Sequence, residues 1–352
     1  MKGASAVLAF LIDAYTRGER VALMTLTDVI SRSSRAPGTQ MGVSESGAYS
    51  GSFSGGCIEA AVVAEARRVI ENGIAETVRF GEGSRFIDIK LPCGGGIDLL
   101  ITPQPSFASL VEAEKLLAAR IPELLRIGSD GGFSVVAARD GDGTRWCGDN
   151  FQVRHDPDLR IMIIGHGEET RALASIASAY GAQLVVLTPD AALVDLLGAT
   201  GTTVHHLKTP ARSPWLTTDR HTATIFLFHD HDWETVLLKQ ALEQDGFFIG
   251  AMGSRATHAV RIEALERAGV SIEDIDRLTG PIGLIPATRD PETLALSALS
   301  QIAMRYEKAC ESAASGHSSA RIQESVGAPL RDAASSSFSV SMSASSSGRA
   351  AT

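Results

Sequence analysis

The sequence contains little cysteine, and this scarcity limits the chemistry open to it. Its 352 residues include four cysteines, Cys57, Cys93, Cys147 and Cys310. They are too few and too widely spaced for a disulfide framework or for a zinc site of the Cys-x-x-Cys type. Isolated thiols are typical of a reducing compartment, so we expect these cysteines to be reduced and the protein to be cytoplasmic.

Long apolar runs and an excess of positive charge are also lacking. No run approaches the roughly 18 uninterrupted apolar residues of a membrane span, and the apolar start leads into Asp13, Arg17 and Glu19, which favours an amphipathic helix over a signal peptide. The 32 Lys and Arg against 41 Asp and Glu leave a net charge of −9 at pH 7. Because affinity for phosphate backbones comes from Lys and Arg, we expect neither nucleic acid nor a membrane as a partner.

The changing apolar pattern predicts an α/β fold. Residues 1–105 combine helical periodicity with short apolar runs and predict an N-terminal α+β domain, and residues 106–158 predict a connecting helix and strand segment. Apolar strands alternate with helices over residues 159–310, which predicts a Rossmann-type, doubly wound parallel sheet. Ser occupies 14 of the 42 positions from 311 to 352, which predicts a disordered tail.

A glycine turn follows the first strand of the expected Rossmann domain. Gly165 and Gly167 allow a ligand's phosphate to approach the backbone at the start of a helix, although the third glycine position of the dinucleotide motif holds Thr170. The neighbouring Glu168 and Glu169 would repel a pyrophosphate. The turn is either structural or a site for a nucleotide or phosphorylated ligand, and ordinary NAD use is the least favoured interpretation.

Two Gly-rich loops in the N-terminal half each carry a cysteine. Cys57 follows Ser54, Gly55 and Gly56 and precedes a helix, where the pKa of a thiol is lowered, while Cys93 precedes Gly94 and Gly95 between two strands. These loops can offer backbone N–H groups to a phosphate. Each cysteine is either reactive or a small packing residue, and the sequence leaves both interpretations open.

Polar residues follow two further strands of the Rossmann pattern. His229 and His231 come after an apolar strand, at the sheet edge where open α/β folds bind ligands, and they can contact a ligand or transfer protons. Two histidines make an incomplete zinc site, so we predict no metal site. Gly253, Ser254 and Arg255 follow the next strand, where Ser254 can cap a helix and Arg255 can bind a phosphate or carboxylate.

Taken together and in order, these segments resemble the XdhC/CoxI family of molybdoenzyme accessory proteins. The resemblance covers about residues 1–307 and depends on residues 51–59, 93–98, 229–231, 249–255 and 280–284. It implies an N-terminal XdhC/CoxI-like domain and a chaperone that binds molybdenum cofactor, as molybdopterin or its dinucleotide form, as cargo. The chaperone would help insert the sulfurated cofactor into an apo-molybdenum hydroxylase of the xanthine dehydrogenase family, together with a cysteine desulfurase.

The resemblance also assigns roles to residues. It implies reactive thiols at Cys57 and Cys93 and cofactor binding by thirteen residues: Ser54, Gly55, Gly56, Cys57, Gly94, Gly95, Gly165, Gly167, His229, His231, Gly253, Ser254 and Arg255. A homodimer is the default assembly. Two alternatives stay open: an NAD(P)-dependent oxidoreductase with His229 or His231 as the acid or base, and an interaction protein that recruits the sulfurating enzyme without holding cofactor.

Overall fold

The structure is a computed structural model that describes residues 3–56, 58–86, 91, 94–228 and 233–316. The described residues form three β-sheets with helices between and around them. No helix among them is both long enough and apolar enough to cross a bilayer. Cys57, Cys93, His229 and His231 lie outside the described residues, as does the Ser-rich segment from residue 317 onward.

The N-terminal half is one antiparallel sheet with a helix on each face. Its elements are α1 (Ala4–Thr16), β1 (Val21–Ile30), β2 (Gln40–Ser44), β3 (Tyr49–Gly51), α2 (Glu59–Asn72), β4 (Glu76–Gly81) and β5 (Gly96–Pro103), with strand order β3-β2-β1-β5-β4. Side chains alternate along β1, so Met24 packs with α2 while Leu23 packs with α1. Val62, Ala66 and Val69 form the buried stripe of α2. The predicted α+β arrangement is confirmed.

A second antiparallel sheet follows where the sequence predicted a connecting helix and strands. It comprises β6 (Glu123–Gly128), β7 (Phe133–Ala137), β8 (Arg145–Cys147) and β9 (Asn150–His155) in the order β7-β6-β9-β8, preceded by α3 (Phe107–Ala118). Leu110 of α3 shares one buried cluster with Leu11 of α1 and with Leu125 of β6. The two helices therefore join the first two sheets through a common core.

The remaining elements build a six-stranded parallel sheet. They are β10 (Arg160–Gly165), α4 (Gly167–Tyr180), β11 (Gln183–Thr188), α5 (Ala191–Gly198), β12 (Thr203–His206), β13 (Thr222–Leu227), α6 (Glu234–Leu242), β14 (Phe248–Ala251), α7 (Arg255–Arg267), α8 (Ile272–Ile275), β15 (Leu278–Thr279) and α9 (Pro291–Ser315), with strand order β12-β11-β10-β13-β14-β15. Ile163 packs under α4 and α9, and Ile164 packs with α6 on the other face. The predicted Rossmann-type sheet is confirmed.

The last helix continues past the predicted start of the tail. Residues 311–315 belong to α9, whose buried face includes Tyr306 and Ala313 and which ends at Gly316 in the left-handed conformation (φ 71°). Cooperative packing along this face carries the helix into residues whose small, polar composition suggested disorder. The expectation that the tail begins at residue 311 is therefore wrong for these five positions.

Candidate functional site

The topology of the first sheet brings its two Gly-rich loops to one edge. Antiparallel pairing places the carboxyl ends of β1, β3 and β4 beside the amino ends of β2 and β5. Residues 52–56 and 58, which follow β3, and residues 91, 94 and 95, which precede β5, therefore lie at the same edge of the sheet. Phe53, Ile58 and Leu91 from these loops share one buried cluster. The two candidate segments identified in the N-terminal half are thus neighbours.

The first loop wraps around the carboxylate of Glu59. Oε2 accepts hydrogen bonds from the backbone N–H groups of Gly56 (2.8 Å) and Ile58 (3.2 Å), and Oε1 accepts from that of Ser54 (3.0 Å). The hydroxyls of Ser52 and Ser54 also donate to it, each at 2.7 Å. Burial alone would raise the pKa of Glu59, but these hydrogen bonds outweigh it and lower that pKa to about 2.

This network differs from the expectation of free N–H groups for a phosphate. The N–H of Gly55 donates to Ser52 Oγ at 2.9 Å, so the amides of Ser54, Gly55 and Gly56 are all already paired. An internal carboxylate therefore takes the place that an external anion was expected to fill. Positive φ angles at Gly55 (75°) and Gly56 (120°) permit the wrapped conformation, which L side chains rarely adopt. The described residues of this loop are thus held in place by hydrogen bonds to Glu59 and Ser52.

The second loop is closed by a tight glycine contact. A Cβ on Gly95 would lie 2.1 Å from the carbonyl oxygen of Arg32, so no side chain fits there. Gly94 has a φ of 73° and faces open space, and its N–H donates to the carbonyl of Leu91 at 2.9 Å. Gly95 is therefore required for close packing of the β1 and β5 ends, whereas Gly94 is required for the turn.

The Rossmann sheet supplies the second candidate edge, at the carboxyl ends of its strands. A Cβ on Gly165 would lie 2.6 Å from the carbonyl oxygen of Leu227 and 2.8 Å from Thr170 Oγ1. Thr170 donates that hydroxyl to the carbonyl of His166 at 3.0 Å. Thr170 therefore closes the turn by a hydrogen bond, in the place where a dinucleotide fold normally has its third glycine. Gly167 begins α4 with a φ of 75°.

Asp190, which comes two residues after the end of β11, has a structural task. Asp190 is the N-cap of α5 and accepts hydrogen bonds from the N–H groups of Ala192 (2.9 Å) and Leu193 (3.3 Å). The N–H of Asp190 itself donates to Thr188 Oγ1 at 3.1 Å. Glu168 is likewise engaged, since it forms an ion pair with Arg171 at 2.5 Å. Neither carboxylate has the arrangement of a ribose-binding acid.

A buried ion pair organises the loops around β13 and β14. Glu234, the first residue of α6, accepts hydrogen bonds from Arg261 of α7 at 2.9 and 3.0 Å, and the side chain of each is 2% exposed. Arg261 also donates to the carbonyl of Met252 at 2.8 Å. The pair therefore links the start of α6 to Met252, which directly precedes the loop residues Gly253, Ser254 and Arg255.

Arg255 is the cation that this loop exposes. Ser254 caps α7 by accepting the N–H of Thr257 at 3.0 Å, as the sequence suggested. The next residue, Arg255, is exposed, and no residue that the structure describes forms an ion pair with it. Parallel strands are spaced about 4.8 Å apart. Only β13 separates β14 from β10 in the sheet. The end of β14, which Arg255 follows, therefore lies near the Gly165 turn at the end of β10.

Aromatic side chains flank this edge, and sequence reasoning did not single them out. The rings of His166 and Phe228 lie 5.6 Å apart, at the point where β13 leads into residues 229–232. Further along the sheet, Trp215 stacks on His205 of β12 with ring centroids 4.1 Å apart and planes 3° apart, and Trp215 is 53% exposed. An exposed flat pair of this kind can receive a planar ring. The two stacked residues are 10 positions apart in the sequence, so no sequence motif indicated this pair.

Among the described residues, none of the hydrogen bonds or ion pairs given above joins residues 52–56, 58 or 94–95 to the loops at the carboxyl edge of the Rossmann sheet. The described residues thus form two loop groups, one at each of the two candidate edges. A buried carboxylate stabilises each loop group, Glu59 in the first and Glu234 in the second.

These features define an α/β protein with a Rossmann-type half and an antiparallel half whose Gly-rich loops share an edge. A family model described as the XdhC Rossmann domain matches residues 161–302, and a model described as the XdhC and CoxI family matches residues 14–81. The chain is 36% identical over 297 residues to the molybdenum cofactor insertion chaperone PaoD of Escherichia coli (strain K12), which covers 84% of this chain and 87% of that protein. The chain therefore belongs to the XdhC and CoxI family.

A solved structure has the same fold. It is described as a xanthine dehydrogenase from Bacillus halodurans, and it matches with a TM-score of 0.69 and 19% identity over 86% of this chain and 96% of that chain. At this identity the likeness concerns the fold alone. It extends across both halves and so supports their treatment as one architecture.

Proposed function

We propose that this protein is a chaperone that binds molybdenum cofactor as cargo and delivers it to an apo-molybdenum hydroxylase of the xanthine dehydrogenase family. The observation that carries the proposal is the 36% identity to PaoD across most of both chains. Delivery requires binding and release rather than turnover, so we infer a carrier and not an enzyme. We infer a cytoplasmic protein, because its four widely spaced cysteines are typical of a reducing compartment.

The carboxyl edge of the Rossmann sheet is the proposed site for the phosphate end of the cofactor. Arg255 offers a planar fork with which no described residue forms an ion pair. Gly165 ends β10 beside the start of α4 at Gly167, where backbone N–H groups can receive a phosphate. His229, His231 and Gly253 belong to the same edge by sequence position. Glu168 does not oppose the ligand with its full charge, because Arg171 neutralises it.

The exposed stack of Trp215 on His205 supports the dinucleotide form of the cargo. It lies beside β12, on the side of the sheet where a Rossmann fold holds the base of its ligand. Base stacking on an aromatic side chain contributes about 1–3 kcal/mol per base. We therefore infer that the nucleotide extension, when present, places its base on Trp215.

The loop held by Glu59 is the proposed site for the metal end of the cofactor. Cys57 lies between Gly56 and Ile58, whose N–H groups both donate to Glu59, so its backbone neighbours are fixed. Cys93 belongs by sequence position to the second Gly-rich loop. A thiolate here could contact molybdenum or its sulfido ligand. Sulfuration itself requires a sulfur donor, for which we infer a cysteine desulfurase partner.

We infer a homodimer, the commonest assembly of soluble oligomers. If cargo contacts both groups, either the halves of one chain close around it or a second copy supplies one group. In a C2 dimer each protomer would supply one loop group to its partner's site, so symmetry would produce two such sites. Light scattering with and without cargo distinguishes the two arrangements.

The test is to incubate the purified protein with molybdenum cofactor, remove free ligand by gel filtration, and quantify molybdenum and oxidised pterin fluorescence per chain. NAD and NADP are run alongside. We expect near-stoichiometric pterin and no retained nicotinamide nucleotide. Nicotinamide binding without pterin would overturn the proposal in favour of an NAD(P)-dependent oxidoreductase. A stable complex with the sulfurating enzyme but no pterin would favour an interaction protein instead.

The role of Cys57 has a separate test. Cys57→Ala should lower activation of an apo-hydroxylase client while leaving the circular dichroism spectrum unchanged. Cys147→Ala is the matched control, since Cys147 is exposed on β8 in the second sheet. Unchanged client activation by folded Cys57→Ala would remove that thiol from the mechanism.

A further inference from the structure

Three potential metal ligands meet at the amino end of the parallel sheet. Asp156 follows β9, His221 directly precedes β13, and Cys310 lies on α9. One ligand atom from each lies within 4.8 Å of the others. The residues are 65 and 89 positions apart in sequence, so no spacing motif could have indicated this cluster.

His221 provides the independent sign that a ligand belongs here. Its residue is 3% exposed, and its Nε2 atom has no hydrogen-bond partner in the described part of the chain. An unpaired polar nitrogen in the interior has lost its hydrogen bond to water without a replacement, which is unfavourable. Neutral imidazole is also the commonest protein ligand for transition metals. A bound cation would satisfy this atom.

The charge around the cluster is compatible with a divalent cation. Asp156 forms an ion pair with Arg154 at 2.8 Å. An ionised carboxylate has about four lone-pair positions, so it can accept from Arg154 and still bind an ion. With Cys310 as thiolate, the ligands carry two negative charges and one neutral nitrogen. Among the further charged groups near the cluster, Arg120 is held by Asp219, and Glu307 lies one turn before Cys310.

A cavity gives the cluster access to water. A space of about 190 Å³ is lined by Asp156, Tyr306 and Glu307, among other residues. Asp156 belongs both to this wall and to the ligand cluster. Water in the cavity can therefore complete a four-coordinate site whose other three ligands come from the protein.

We propose that Asp156, His221 and Cys310 bind a zinc-type divalent ion. The donor set of sulfur, nitrogen and oxygen suits zinc and cobalt better than magnesium or calcium, which prefer oxygen. Binding breaks the Cys310 S–H bond, forms a metal–sulfur bond and releases the proton to solvent. The ion would tie α9 to the start of β13 and to the end of the second sheet.

This site is distinct from the proposed cofactor site. It lies at the opposite end of β13, whose six residues span about 20 Å at about 3.3 Å each. Loss of this metal would therefore leave the cofactor-binding edge in place, and failure of either proposal would not decide the other.

The test uses the untagged full chain after removal of metal with a chelator. Zinc binding is measured by competition with a chromophoric chelator, and cobalt binding by its thiolate-to-metal charge-transfer absorption. We expect about one equivalent per chain, with the charge-transfer band retained in Cys147→Ser and in the Cys57→Ser/Cys93→Ser double variant. In Cys310→Ser the band should vanish and zinc affinity should fall at least about 100-fold.

A second variant guards against a folding defect. Cys310→Ala suits a helical position and should keep the native circular dichroism spectrum while binding no cobalt. Zinc should raise the thermal midpoint of the wild type but not that of Cys310→Ala. No charge-transfer band in the wild type, a band that persists without Cys310, or one that disappears without Cys57 and Cys93 would each overturn the proposal.

Discussion

At the scale of single residues, Glu59 shows how a buried carboxylate can shape a loop. Its residue is 4% exposed, and backbone or hydroxyl donors from Ser52 to Ile58 surround it. Gln in its place would keep one acceptor but turn an NH2 group toward N–H donors. We expect Glu59→Gln to lower the free energy of unfolding by about 2–3 kcal/mol at pH 7, measured by urea denaturation.

The pH dependence of this effect has a defined sign. The pKa of Glu59 is lowered to about 2 in the folded state, so its contribution is present above the ordinary carboxyl pKa near 4.5 and is lost as pH falls toward 2. The stability difference between wild type and Glu59→Gln should therefore shrink between about pH 4.5 and pH 2. Glu71→Gln, on the exposed end of the same helix, is the control. A difference that stays constant with pH would show that the carboxylate charge is not responsible.

Arg255 is the residue on which the proposed phosphate contact depends most. Charge-assisted hydrogen bonds contribute about 1.5–3 kcal/mol, so Arg255→Ala should weaken retention of pterin cofactor by about 10-fold or more. Arg267→Ala, at the exposed far end of the same helix, should leave retention unchanged. Equal retention by both variants would place the phosphate elsewhere. The measurement is the amount of oxidised pterin that each chain retains after gel filtration.

At the scale of elements, the Gly165 turn is set by backbone proximity rather than by a ligand. A Cβ there would lie 2.6 Å from the carbonyl oxygen of Leu227, which belongs to the neighbouring central strand and cannot shift easily. We expect Gly165→Ala to cost about 3 kcal/mol or more in stability. Gly198→Ala is the matched control, because no atom lies within 4 Å of its Cβ position at the end of α5 and Ala favours helix. Thermal melts of the two variants should move in opposite directions.

The elements also show which parts of the fold the sequence predicts well. Alternating apolar strands and helices after residue 159 correctly predicted the parallel sheet, because both of its faces are buried and the pattern is local. β6 escaped prediction, since its first residue, Glu123, is charged yet fully buried. Its carboxylate contacts His155 Nδ1 at 2.7 Å across the sheet, 32 positions away. Glu59 was missed as a loop organiser for a different reason: its donors are only one to seven positions away, but the loop conformation that turns them toward one carboxylate leaves no mark in the sequence.

At the scale of the whole molecule, one side chain ties the second sheet to the Rossmann sheet. Arg120 donates to both carboxylate oxygens of Asp219 (2.8 and 3.1 Å) and to the carbonyls of Asp158 (2.6 Å) and His221 (3.0 Å). Burial would raise the pKa of Asp219, but the hydrogen bonds and charge of Arg120 lower it to about 2. Arg120 has a φ of 64°. Alanine would bear the same backbone strain, so Arg120→Ala isolates the side chain.

Removal of this guanidinium leaves the partly buried Asp219 carboxylate and the carbonyls of Asp158 and His221 without the hydrogen bonds that Arg120 donates. We expect Arg120→Ala to lower the free energy of unfolding by about 3 kcal/mol and to separate one calorimetric unfolding transition into two, because the sheets on either side keep their own cores while the hydrogen bonds that Arg120 makes between them are lost. Arg126→Ala removes an exposed arginine from the same second sheet and should leave a single transition. If both variants unfold alike, the shared apolar packing rather than Arg120 couples the two halves. Any movement that closes the two loop groups around cargo would then need a hinge elsewhere in the chain.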